Sequence, residues 1–309
     1  MIETFALELP HGIALSCRAA GESGRPVLVF LHGFPEAAFV WDTLLEHFAQ
    51  EQNGGFRCVA PNLRGFERSS APLDVGAYRP RHLVQDIVAL ITAECGSNGK
   101  LACLVAHDWG GAVAWGLANQ RPELTRRLAI VNSPHPGTFL RELKANPSQQ
   151  AASAYMNFLI RPDAEALLAE ADFHRLWAFF GDAAGPPAWL TPAVREQYRA
   201  VWRGDGSAPG AGLRGGCNYY RASPLRPPRP EDPAAQAIEL PDSMLSVSLP
   251  TLVLWAMQDR ALPPELVEGL EHWVPDMTLQ RVEGATHWIV HEQPALVAQR
   301  LGAFLLSNQ

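Results

Sequence analysis

The most constraining stretch of this chain is an apolar run, Leu101–Ala106 (LACLVA). It passes without a break into His107-Asp108-Trp109-Gly110-Gly111 and then into a helical pattern reaching about Arg121. The run reads as a buried strand, and Ala106 to Gly110 has the form small, any, nucleophile, any, small. A sharp strand-to-helix turn needs small neighbours, because the central backbone is forced into a strained conformation and larger side chains would clash. The central side chain then stands at the top of a sheet, at a helix N-terminus, where N–H groups and the helix dipole favour negative charge. Here that residue is Asp108. A lone Asp at such a junction also reads as a plain helix N-cap, so the rest of the chain has to decide.

The surrounding chain alternates in the same way. Val27–Leu31 (VLVFL) is a short apolar run ended by His32-Gly33, and Cys58-Val59-Ala60 before Pro61 is a weaker one. Leu83–Cys95 carries apolar residues at helical spacing and stops at Gly96 and Asn98; Leu128–Val131 is a further strand before Pro134 and Pro136. Apolar strands alternating with helices predict a parallel sheet covered on both faces. From about Gly137 to Val247 the pattern turns helical with no good strand. It carries Trp177, Phe179, Phe180, Trp189 and Trp202, and two loose stretches, Gly204–Gly216 and the proline-rich Ser223–Pro233. The earlier grammar then resumes. Thr251–Ala256 reads as a strand, Pro264–Trp273 as a helix, Met277–Val282 as a strand and Gln293–Leu306 as a closing helix. The expected organisation is an α/β core from 1–136 and 248–309, with residues 137–247 inserted as a helical cap. The final part is too short to hold a core of its own.

Composition removes whole classes of function. With 309 residues, 47% hydrophobic and 18% charged, the chain is globular, which excludes a disordered, collagenous or coiled-coil protein. A net charge of −7, a pI near 5.8 and no dense Lys/Arg run argue against a nucleic-acid partner or an anionic membrane surface. Met1 to Cys17 lacks the basic and apolar regions of a signal peptide, and no apolar stretch is long enough to span a bilayer. Five scattered cysteines, 17, 58, 95, 103 and 217, with no CxxC pair, give no expectation of a disulfide framework or a zinc site. A cytoplasmic setting is the expectation, and a monomer and a homodimer both stay open.

Three further pieces reverse the plain reading of Asp108. His32-Gly33-Phe34-Pro35 follows the VLVFL strand, and its Gly and Pro shape a loop whose Phe34 N–H can point inwards. With the N–H of Trp109 this makes a two-donor oxyanion hole. Asp259 lies three residues beyond the TLVLWA strand, and His287 sits in Gly284-Ala285-Thr286-His287-Trp288 after the last strand. Nucleophile, acid, base is the chain order of the triad on such a sheet. His107, His135, His272 and His291 are rivals, and only the position after a late strand singles out His287. The other position from which an acid could come reads Asn132-Ser133, neither a carboxylate, which returns the role to Asp259.

These residues resemble the α/β-hydrolase superfamily over essentially the full length. HGFPE (His32–Glu36), HDWGG (His107–Gly111) and the GATHW…HEQP tail (Gly284–Pro294) are similar to its epoxide hydrolase and dehalogenase branch. Arg64-Gly65-Phe66-Glu67-Arg68-Ser69-Ser70 resembles the RGYGxSS turn of that family, with Glu67 where a second Gly is usual. Ala106 and Asn62 stand where Gly and Asp are commoner.

The leaving group separates the two chemistries. Opening an epoxide with a carboxylate makes an alkoxide that must be protonated as it forms, and a Tyr hydroxyl is a suitable acid. Halide needs only N–H donors, which Trp supplies. Cys217-Asn218-Tyr219-Tyr220-Arg221 resembles the NWYR-type motif of epoxide hydrolases, which maps the donor onto Tyr220; Ala154-Tyr155-Met156-Asn157-Phe158 maps its partner onto Tyr155. The resemblance therefore implies an epoxide hydrolase without metal or cofactor. Asp108 is the nucleophile, His287 the base, Asp259 the acid and Tyr155 and Tyr220 the proton donors. Phe34 and Trp109 supply the oxyanion hole, and these two with both tyrosines bind a small apolar epoxide and water. A haloalkane dehalogenase on the same Asp, and a non-catalytic small-molecule receptor on the same fold, are the alternatives. Trp109 and Ala112 stand where haloacid dehalogenases carry Arg, which disfavours a haloacid substrate.

Overall fold

A computed structural model of the chain describes residues 1–181, 185–229 and 237–306. Eight strands form one sheet: β1 (Glu3–Glu8), β2 (Ala14–Ala20), β3 (Val27–Leu31), β4 (Arg57–Pro61), β5 (Cys103–His107), β6 (Leu128–Val131), β7 (Thr251–Ala256) and β8 (Met277–Val282). Their order across the sheet is β1-β2-β4-β3-β5-β6-β7-β8. β1 pairs antiparallel with β2 and β2 with β4; every other neighbouring pair is parallel.

Every residue of β3, β4, β5, β6 and β7 is buried, which is why these strands read as unbroken apolar runs rather than alternating ones. Successive side chains serve opposite layers. On one face Val29, Leu31, Leu104 and Ala106 meet α2 (Pro80–Cys95) and α3 (Asp108–Gln120), following the short α1 (Asp42–Phe48) in the chain. On the other face Leu28, Phe30, Cys103 and Val105 share a core with Leu44 and Phe48 of α1 and with Val297 and Leu301 of the C-terminal helix.

Between β6 and β7 the chain runs through α4 (Pro136–Ala145), α5 (Pro147–Ala152), α6 (Tyr155–Leu159), α7 (Ala164–Phe180), α8 (Pro192–Arg203) and α9 (Arg214–Ala222). α7 is kinked, with Ala171, Asp172 and Phe173 in the left-handed region. Residues 230–233 of the proline-rich stretch lie outside the described residues. After β8 come α10 (Ile289–Glu292) and α11 (Pro294–Leu306). None of the described helices is long and apolar enough to cross a membrane.

Two sequence expectations need correction. Pro264–Trp273 is not one helix but two short 3-10 turns, Pro264–Val267 and Leu270–His272. Glu268 is extended and Gly269 has φ +73°, which breaks the helix in the middle. The antiparallel β1 and β2, joined through a turn at Gly12, have no counterpart in the sequence reading. β1 is an edge strand with four of its six residues exposed, so it lacks the apolar run that marked the others.

The parallel arrangement gives the fold its functional edge. Because β3, β5, β6, β7 and β8 run the same way, the loops leaving their C-terminal ends all open on one side of the sheet. Those loops carry Phe34, Asp108, Asn132, Asp259 and His287.

Candidate active site

Asp108 is the first residue of α3 and has φ +47°, a left-handed backbone that a non-glycine side chain adopts at a cost. Neighbouring glycines make room for it. A Cβ on Gly110 would come within 2.5 Å of the Leu31 carbonyl oxygen, and one on Gly33 within 2.4 Å of Asp108 Oδ1. The Ser133 hydroxyl donates to the Asp108 carbonyl oxygen at 2.7 Å, fixing the turn from the β6 side. The Phe34 N–H donates to Asp108 Oδ1 at 2.7 Å, which leaves Oδ2 to face His287 Nε2 at 3.9 Å.

Behind His287 stands Asp259. Its Oδ2 lies 2.6 Å from His287 Nδ1 and also accepts from Asn132 Nδ2 at 2.9 Å; its Oδ1 accepts the Ala261 and Leu262 N–H groups, both at 2.9 Å. Burial pushes this carboxyl up, but the charge and hydrogen bond of His287, with the Asn132 and Leu262 donors, hold it below the usual carboxylate value. Burial works against protonation of His287, yet Asp259 above all, then Asp108 and Glu36, raise it to about 9.

A second buried cluster fixes His287 from the other side. His107 Nε2 lies 2.9 Å from the His287 carbonyl oxygen and His107 Nδ1 lies 3.0 Å from Glu36 Oε2. Glu36 Oε1 is also met by His291 Nε2 at 3.2 Å and by the Tyr198 hydroxyl of α8 at 3.1 Å. Burial opposes the charge on Glu36, but its hydrogen bonds with the two histidines keep it well below the ordinary value. Of the rival histidines, His107 and His291 thus belong to the support of the site. His135 is a helix cap whose ring accepts from Gly137 N–H and faces the Leu245 carbonyl; burial takes it down to about 4.

Asp108 and His287 open onto a cavity of about 700 Å³ lined by Phe34, Phe179, Phe180, Trp288, Tyr155 and Tyr220 among others. Tyr155 lies on α6 and Tyr220 on α9, their ring centroids 6.0 Å apart. Both are held above the ordinary phenol value, first by burial and then by neighbours that include Asp108.

The structure therefore brings Asp108, Asp259, His287, Phe34, Tyr155 and Tyr220 together around one cavity. Trp109 is placed differently: it does not line this cavity, and its ring packs edge-on against Tyr220 at 5.0 Å. Nothing in the linear sequence marks a role for Asn132, Gln149 or the Glu36 cluster. Asn132 is passed over when only carboxylates are sought, although it occupies the position next to the acid. Glu36 lies within the HGFPE motif itself. Among the described residues no group of three or more His, Cys, Asp or Glu is arranged to hold a metal ion.

A family profile described as alpha/beta hydrolase fold matches residues 26–294, nearly the whole chain. The chain belongs to the α/β-hydrolase family. An AB hydrolase superfamily protein of Bacillus subtilis is 34% identical over 296 residues, covering 96% of this chain and 95% of that one. A solved structure described among novel epoxide hydrolases from hot-environment metagenomes superposes with a TM-score of 0.86 at 35% identity, each chain covered completely. An inhibitor complex of the Bacillus megaterium epoxide hydrolase gives 0.84 at 29% identity, covering 97% of this α/β-hydrolase and 99% of that one.

Proposed function

We propose that this α/β-hydrolase is an epoxide hydrolase that converts an epoxide to a vicinal diol through an ester on Asp108. The observation that carries the reading is the pair of tyrosines, Tyr155 and Tyr220, on the wall of the cavity that Asp108 opens onto. The segment between β6 and β7, which bears both, acts as the cap (residues 137–247) over a core of residues 1–136 and 248–309.

The geometry supports a role for each residue. Asp108 Oδ2 is the attacking oxygen, since Oδ1 is already held by the Phe34 N–H. As the C–O bond of the ring breaks, the oxygen takes a proton from the tyrosine pair. Two phenols held above their ordinary value stay protonated until an alkoxide-like oxygen forms, which is what a proton donor to so strong a base requires. Oδ1 becomes the ester carbonyl oxygen, sitting where the N–H groups of Phe34 and Trp109 stabilise the next oxyanion. Esterification also removes the Asp108 charge, one of the causes that raise His287. The imidazole thereby becomes easier to deprotonate when it must activate water, with Asp259 stabilising the imidazolium that results. Collapse of that oxyanion breaks the acyl C–O bond; the departing alkoxide takes the imidazolium proton and the second proton of the water restores the tyrosine, leaving the diol and the Asp108 carboxylate. This chemistry uses only the chain's own residues, an apolar epoxide and water.

Turnover of styrene oxide and of a bromoalkane on one preparation, with Asp108→Ala as the blank, tests the reading. Diol without bromide, lost in the blank, supports it. Bromide without diol makes the protein a dehalogenase, and saturable binding without either product makes it a receptor.

A further inference from the structure

Gln149 is fully buried on α5, and both of its amide donors are used. Nε2 donates to the Ser153 hydroxyl at 2.8 Å and to the Ala261 carbonyl at 3.1 Å. Its Oε1 is buried with no partner among the described residues. An unpaired buried acceptor costs free energy that an apolar side chain of the same size would avoid, so what this position gains from Gln is donation. The end of the donation that crosses from the cap to the core is Ala261, whose own N–H holds Asp259 Oδ1. The donor side is fixed in turn: Asn146 Oδ1 caps α5 by accepting from Ser148 and Gln149 N–H, and the helix leads directly to Tyr155.

We infer that Gln149 is a positioning residue for the catalytic acid. Its amide holds the loop 259–262 in the register at which Asp259 supports His287, and so governs ester breakdown more than ester formation. The inference rests on the proposed reaction, because ester breakdown is the step in which His287 acts as a base. Loss of the tie lets the Ala261 and Leu262 donors drift from Asp259, and small displacements of a catalytic group are costly.

The test uses Gln149→Met, which conserves volume without a donor. It also uses Gln149→Leu, a second apolar side chain with no donor for the Ala261 carbonyl. In rapid-quench experiments followed by mass of the Asp108 peptide, ester formation is expected to stay within about twofold and ester breakdown to slow roughly tenfold. The pH midpoint of breakdown moves down, since His287 loses support from Asp259 while Glu36 and the His107 ring at 4.7 Å are unchanged and Asp108 is uncharged as the ester in wild type and variants alike. Equal slowing of both steps, or unchanged breakdown in folded variants, overturns the inference. An NMR titration of His287 without substrate separates the two claims. If the wild type forms no ester with any epoxide, the reaction is wrong. A lowered His287 midpoint in Gln149→Met then still supports the tie, and an unchanged one overturns it.

Discussion

Phe34 and Asp108, 74 positions apart in the chain, are joined by one hydrogen bond of 2.7 Å from the Phe34 N–H to Oδ1. That bond makes the two carboxylate oxygens different before any substrate arrives: one is clamped and one is available. The loop that supplies it approaches so closely that residue 33 has no space for a side chain.

Gly33→Ala is therefore expected to displace Asp108 or its clamp while leaving the sheet intact. The kcat/KM for an epoxide falls on the order of 100-fold, with cooperative unfolding retained. Steady-state kinetics beside a thermal melt check this, and activity near the wild-type value would contradict the close approach.

The tyrosine pair gives a graded prediction. Tyr155→Phe and Tyr220→Phe each leave one donor and slow ester formation by roughly tenfold or more, while the double variant abolishes it. Pre-steady-state measurement of the Asp108 ester reads this directly. Near-normal ester formation in the double variant would place the proton donor elsewhere.

The raised His287 has a stability consequence with a definite sign. Its folded value is about 9 against an ordinary value of 6.5, so the protonated ring stabilises the fold fully below 6.5, and this contribution is lost as pH rises through 9. Its size is at most about 3 kcal/mol. Denaturant unfolding of wild type and His287→Gln should differ most near about pH 6 and converge near about pH 10. A gap that does not narrow would refute the raised value. The same variant, mixed with an epoxide, is expected to accumulate the Asp108 ester, visible as a mass adduct.

Glu36 is buried with His107, His291 and Tyr198 around it. Replacing it by Leu strands those partners, and removing one member of a buried charged cluster costs about 3 kcal/mol. The melting temperature of Glu36→Leu falls by several degrees, and His287, whose carbonyl is held through His107, loses its fixed position. An unchanged melt would mean that the cluster contributes nothing net.

Much of this site is legible in the sequence because Phe34, Asp108 and Asp259 closely follow β3, β5 and β7, strands buried throughout, and His287 follows the last strand, β8. The ends of these strands locate Phe34, Asp108, Asp259 and His287. Where burial is one-sided the signal fails. β1 alternates between exposed and half-buried residues at the sheet edge and has no apolar run to read. The segment after Pro264 has helical apolar spacing, but Gly269 in the left-handed region divides it. Asn132 and Gln149 contribute donors, not charge, and a polar amide in a linear sequence carries no sign of being buried beside a carboxylate. The packing of the Trp109 ring against Tyr220 depends on how α9 lies over the core, a long-range contact that no local pattern contains.

The six described helices between β6 and β7 belong to a segment that leaves and re-enters the sheet through adjacent, hydrogen-bonded strands. The tyrosines proposed to open the ring ride on that excursion, whereas the carboxylate and the imidazole proposed to form and cleave the ester belong to the strand ends. A new leaving group can then be accommodated by rewriting one contiguous stretch of gene, with the machinery for attack and hydrolysis inherited whole.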